Sequence, residues 1–235
     1  MAETTMILRL LSAYFRGRVF EPPNLTILKT GRFGNARVFR YHDEHGDWII
    51  KDFHHSPWPV RWTAARFFVS QEYKALVRLR GVKGVATEVH RLSPWTIAYP
   101  FIKGAPLAVL PPHSVPTVFF LQMETLVAAM HARAVVHLDL RNLGNILRGD
   151  DGHPWVIDFQ SAFHLPRGTP RWMRRILCNA DTSGIYKAWH RRGEEPLDAD
   201  RQAFLERVNR VRKLWVLRGY PLSRAWRWLK GKFSR

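Results

Sequence analysis

"VVHLDLRNLGNIL", residues 135–147, sets a histidine, an aspartate, an arginine and two asparagines among apolar residues. Each amide or carboxylate left unpaired away from water costs about 1–3 kcal/mol, so an ordinary core strand or helix would exclude such a set. The polar groups of this stretch are therefore in use. Asp139 follows an apolar run, Asn145 precedes another, and Asp158 closes the run "WVIDF" further on. The turn signal "DDGHP" between "GNILRG" and "PWVIDF" predicts a β-hairpin. A hairpin brings Asn145 and Asp158 side by side as oxygen ligands, with Asp139 opposite. Two such oxygens suit Mg²⁺, which takes few protein ligands and completes its shell with water and phosphate. Phosphoryl transfer requires little more than a metal, positioning and a group that orients the attacking hydroxyl.

Working outward from this junction, the N-terminal side reads as strands. "LTILKT", "ARVFRY" and "DWIIKDF" are short runs rich in β-branched and aromatic residues, broken by Gly31, Gly34 and the polar "HDEHGD" turn, as in an antiparallel meander. "RWTAARFFVSQEYKALVRLR" carries its apolar residues at mostly helical intervals, and "ATEVHRL" and "WTIAYPFI" read as two more strands. After Gly104 the pattern turns helical. Ser114 is placed to cap "VPTVFFLQMETLVAAMHARA", where Pro116 is tolerated in a first turn. Basic helices follow the hairpin to the C-terminus. The order predicts an α+β chain of two lobes, a sheet-rich N-lobe over residues 1–102 and a compact helical C-lobe over residues 103–235.

These residues resemble the motifs of the protein-kinase-like superfamily, whose catalytic loop reads H-R-D-x-x-x-x-N and whose metal site reads D-F-G. His137, Asp139 and Asn145 resemble the loop, and Asp158-Phe159-Gln160 resembles D-F-G with glutamine in place of glycine. The resemblance implies Asp139 as catalytic base, Asn145 and Asp158 as ligands of Mg²⁺, and Arg141 where many kinases carry a phosphate-facing lysine. Leu138 replaces the loop arginine, which removes the usual docking point of a phosphorylated activation loop. The loop also holds one residue more than the family pattern, so either it bulges to keep Asn145 on the metal or Asn142 takes that role. Asn145 is favoured because "GNIL" continues directly into the strand. Upstream, "WIIK" resembles V-A-I-K and implies that Lys51 contacts ATP phosphates, with Glu72 as its ion-pair partner. "GRFGNARV" occupies the place of the glycine-rich loop, where Gly31 and Val38 match and Phe33 and Ala36 stand for glycines. "IAYPFIKG" resembles the hinge, which implies adenine contacts from the backbone between Pro100 and Ile102. The short C-terminal part lacks an A-P-E motif and is similar in character to bacterial lipopolysaccharide core sugar kinases, and secondarily to RIO kinases.

Charge and apolar patterning bear on partners. The 235 residues carry a formal net charge of +18, and from Arg167 onward there are 18 basic and six acidic residues. Such a field suits an anionic glycolipid, a membrane surface, RNA or an acidic protein. In "LSRAWRWLKGKF", Leu222, Ala225, Trp226, Leu229 and Phe233 share one helical face among basic residues, a pattern that fits either packing on the C-lobe or an anionic membrane interface. The lone Cys178 excludes an internal disulfide, and Glu3 and Arg9 break the apolar run of the first 20 residues, so no signal peptide is read there. The expectation is a cytoplasmic ATP- and Mg²⁺-dependent phosphotransferase, peripheral on the inner membrane face and acting on a glycolipid sugar hydroxyl. A RIO-like Ser/Thr protein kinase and a non-catalytic ATP-binding scaffold are the alternatives.

Overall fold

The computed structural model describes residues 2–31 and 35–214, so the "LSRAWRWLKGKF" tail lies outside the described residues. Its N-terminal half is built on a five-stranded antiparallel sheet in the order β1-β2-β3-β5-β4. The strands are β1 (Leu25–Lys29), β2 (Arg37–Asp43), β3 (Gly46–Asp52), β4 (His90–Ser93) and β5 (Thr96–Pro100). Strand alternation sorts their side chains onto two faces. Phe39 and Tyr41 of β2, Trp48 and Ile50 of β3 and Ala98 of β5 share one buried cluster. Ile49, Ile97 and Tyr99, the intervening residues, join the other.

The first cluster is closed by helix α1 (Ala2–Tyr14), whose Ile7, Leu8 and Leu11 are buried against the sheet. The apolar run scanned above for a targeting signal is thus a packed helix. Burying a side chain of this size contributes about 1.5–3 kcal/mol, so three of them fix α1 firmly on the sheet. On the opposite face, a single turn α2 (Trp58–Val60) and a π-helical turn (Arg61–Ala65) lead into α3 (Arg66–Arg78). Val69, Ala75 and Leu76 of α3 are buried in the second cluster.

The C-terminal half holds α4 (Thr117–Ala132), α5 (Arg171–Arg192) and α6 (Ala199–Leu214), with small sheets set among them. β6 (Gly104–Pro106) pairs with β8 (Ile146–Gly149), which pairs in turn with β9 (Pro154–Val156). The β8–β9 hairpin is the one that the "DDGHP" turn signals. β7 (Val135–Val136) pairs with β10 (Phe163–His164). Ser114 does not cap α4. The helix begins two residues beyond Val115, behind Pro116, because the N–H groups of Ser114 and Val115 both donate to the Arg192 carbonyl and hold this segment extended; the Ser114 hydroxyl donates to the Pro111 carbonyl instead.

One apolar cluster runs through both halves, joining Leu76, Leu79 and Val85 to Phe119, Met123 and Phe159. The helix α1 cluster is separate and local. Replacing Leu11, 1% exposed, by alanine is expected to lower unfolding free energy by about 2–5 kcal/mol, read from urea unfolding. An unchanged midpoint would show that α1 does not pack as described.

Candidate functional site

A cavity of about 810 Å³ lies between the sheet and the C-terminal half, within the range of roughly 300–1,000 Å³ typical of small-molecule and cofactor sites. Val38, Ile49 and Lys51 line its sheet side, and Leu147, Ile157 and Asp158 line the other. Gly31 lies at its edge with φ +61, and a Cβ there would come within 2.7 Å of the Asn35 carbonyl oxygen. Only glycine makes this turn without strain.

Lys51 lies at the centre. β3 directs its side chain inward, and the Nζ donates to Glu72 Oε1 at 2.8 Å and to Asp158 Oδ1 at 2.7 Å. Glu72 is 1% exposed on α3. Burial alone would lower the lysine pKa, but the two carboxylates outweigh it and hold the ammonium well above its ordinary value. Burial pushes the Glu72 pKa up against the pull of Lys51. For Asp158, burial acts in the same upward direction, yet Lys51 wins and the carboxyl titrates below its usual range. Asp158 itself adopts φ +65, a left-handed conformation that costs a non-glycine residue of order 1–3 kcal/mol and that the Lys51 contact helps to hold.

The polar residues of the 135–147 stretch assemble below. Asn145 is buried, lines the cavity, and donates through Nδ2 to the Asp139 carbonyl at 3.1 Å and to Asp139 Oδ2 at 2.9 Å. Its carbonyl accepts the Ile157 N–H at 3.0 Å, which registers it beside Asp158. The extra loop residue is absorbed in a 3₁₀ turn, Leu143–Asn145, capped by the Asn142 side chain, which accepts the Gly144 N–H. Asn142 is exposed and hands its amide to Asn145 Oδ1 at 3.3 Å. The oxygens of Asn145 and Asp158 make a donor set that suits a hard cation.

Two hinge and loop positions depart from the expected arrangement. Arg141 does not face the cavity; its guanidinium bonds the Ser183 hydroxyl and Asn209 Oδ1, both at 3.0 Å, and so ties the loop to α5 and α6. The loop turns its side chain outward between Leu140, which is buried, and Asn142. Pro100 lies within β5 opposite Trp48 and lines a smaller groove behind the hinge, whereas Ile102, beyond the strand, reaches the main cavity.

Solved structures share this architecture. The Rio2 kinase–ADP/Mg²⁺–phosphoaspartate complex from Chaetomium thermophilum matches with a TM-score of 0.59 over 88% of this chain, at 14% identity. The chain spans 66% of that structure, just under two thirds. Rio2 kinase from the same organism matches with a TM-score of 0.59 over 99% of this chain and 79% of that one, at 12% identity. The fold is protein-kinase-like. No protein-family model matches the sequence, and no curated protein is similar to it. Both structural neighbours are RIO-type, the second of the two resemblances, and they lend the lipopolysaccharide sugar kinases no support.

Within this kinase-like fold, the sequence reading missed Asp181. It is fully buried on α5, and its carboxylate accepts the N–H groups of His137 at 2.8 Å and Leu138 at 2.7 Å, with His131 Nε2 at 3.0 Å. One turn on, Gly184 lets α5 approach so closely that a Cβ would sit 2.7 Å from Leu140 Cβ. The signal was an aspartate and a glycine three apart on a long helix, far from the loop in sequence. Tyr99 and Gln160, also unassigned, line the cavity.

His137 braces the loop from inside. Its Nε2 bonds the Ile157 carbonyl at 3.0 Å, and Nδ1 accepts the Asp139 N–H at 3.3 Å, a pattern that fits the neutral Nε2–H tautomer. Burial pushes its pKa below the ordinary 6.5. The unfolded chain therefore binds more protons below about pH 6.5, and this residue's contribution to stability falls as pH drops through that value. Urea midpoints at pH 7.5 and 5.5 are expected to differ less in His137→Asn than in the wild type; an identical difference in both would contradict the burial argument.

Proposed function

We propose that this chain is an ATP-dependent phosphotransferase whose acceptor is an alcohol group. The observation that carries the reading is Lys51, held at the wall of a nucleotide-sized cavity by Glu72 and Asp158. An ammonium fixed by a buried carboxylate presents a pre-oriented positive charge to polyphosphate at no cost of reorganisation during reaction. Asn145 and Asp158 are the residues that would hold Mg²⁺. When bound, the cation supplies charge neutralisation on the phosphate oxygens.

The remaining roles fall to side chains around them. Asp139, whose carboxylate accepts the Asn145 amide, is our candidate to accept the proton of the attacking hydroxyl. Val38, Ile49 and Leu147 supply apolar walls for a base, and the chain around Ile102 supplies the hinge. Gly31 brings the backbone of the loop close to the cavity without a side chain in the way.

For the acceptor, a RIO-like reading, with a protein serine or threonine hydroxyl, is supported by the structural neighbours. The sugar hydroxyl of a glycolipid has no such support at the site. Fold alone does not fix the acceptor, so the experiment must include both.

Purified protein is incubated with labelled ATP and Mg²⁺, with and without added polypeptide or a membrane glycolipid extract. Magnesium-dependent turnover is expected, with Asp139→Asn slower by about 10²–10⁴-fold while still binding nucleotide, and Asp158→Asn losing its response to Mg²⁺. Label on polypeptide supports the RIO-like acceptor, and label only on glycolipid overturns it. Nucleotide binding without any turnover would make the chain a scaffold.

A further inference from the structure

The first half of α5 carries a surface that the phosphotransferase reading does not use. This helix has 22 residues, yet none before Asp181 is buried. Trp172 is 66% exposed and Ile176 is 42% exposed. They lie four residues apart, on one face. Arg171, Arg174 and Arg175 are exposed beside them, and Arg167 is exposed on the preceding loop. Between Asp158 and Asp181 the sequence holds no acidic residue.

One further apolar residue is tied to this helix: Leu138, 38% exposed, bonds Asp181 through its N–H. Trp172 stands about 14 Å along the helix axis from Asp181, so this surface flanks the catalytic loop.

We propose that this face of α5 docks on an anionic lipid bilayer. Arginines clustered in a stretch without acidic residues attract an anionic partner. The same partner must take up a tryptophan and an isoleucine. A bilayer interface does both, accepting the rings and aliphatic chains at the acyl boundary and the guanidinium groups at the phosphate level. RNA offers phosphates and stacking faces but no apolar layer for Ile176 and Leu138. Among the described residues no helix is long and apolar enough to cross a membrane, so the contact is with the surface. The inference is independent of the identity of the phosphoryl acceptor and of catalysis itself.

Sedimentation with vesicles of phosphatidylcholine alone, and of phosphatidylcholine with about one third phosphatidylglycerol, tests it on the full chain. Binding is expected to the anionic vesicles only and to weaken with salt. The triple variant R171E/R174E/R175E is expected to bind at least about tenfold more weakly, and W172S/I176S is expected to lose binding although its charge is unchanged. A matched reversal in the C-terminal tail, R224E/R227E/K230E, separates that segment's contribution. As a second readout, a polarity-sensitive dye on Ile176→Cys in a Cys178→Ser background is expected to shift its emission to the blue on anionic vesicles. Failure to bind either vesicle, equal binding by the α5 variants, loss of binding in the tail variant alone, an unshifted dye, or displacement from vesicles by single-stranded RNA would each overturn the proposal.

Discussion

One ammonium group, shared between two carboxylates on different elements, sets the geometry of the cleft. Lys51 belongs to the sheet, Glu72 to α3 and Asp158 to the segment after β9. Removing one partner from such a buried group costs about 3–5 kcal/mol, because the remaining charge is left without compensation. The three elements are therefore correlated: none shifts far while the contact persists. Gln71, beside Glu72, donates to the Ala162 carbonyl at 3.2 Å. Helix α3 thereby grips the backbone on the far side of the cavity as well as the lysine on the near side.

The lower half repeats the device. Asp181 replaces lost hydration with two backbone N–H groups and a histidine, all at or under 3.0 Å. Satisfied in this way, a buried carboxylate orients the peptide planes on either side of His137, the second of which leads into Leu138 at φ 64, a conformation a leucine adopts only under constraint. Lys187 of α5, whose Nζ donates to the Arg141 carbonyl at 2.7 Å, and the Arg141 bonds to Ser183 and Asn209 clamp the same loop. The loop is thus held by helices on its outer side, while Asn145 lines the cavity.

Much of this was legible in the sequence, for reasons that differ by residue. Strands β1 to β5 were visible because β-branched and aromatic runs were punctuated by turn residues. Lys51 and Glu72 could be paired because "WIIK" and the helix after it resemble the strand and helix of the kinase-like family, and the two side chains do meet. Asn145 was favoured over Asn142 for its position just before β8, and Asn145 is the one of the two that lines the cavity. Arg141 was not legible: its direction depends on α5 and α6, which lie 42 and 68 residues away along the chain. Asp181 was hidden for the same reason. Helix α1 was overlooked because its apolar stripe has no meaning until the sheet face it covers is known. The tail helix and Phe33 lie outside the described residues.

The long segment between α3 and β4 has a mechanical consequence. Val156 of β9 donates its N–H to the Gly84 carbonyl at 2.8 Å, and Gly84, at φ +92, packs where a Cβ would strike Leu126 and the Pro154 carbonyl. The segment that leaves α3 is therefore fastened to the C-terminal half before the chain returns to the sheet at β4. The C-terminal end of α3 is thus anchored below the cavity while its Glu72 holds a lysine of the sheet above it, so this helix belongs mechanically to both halves.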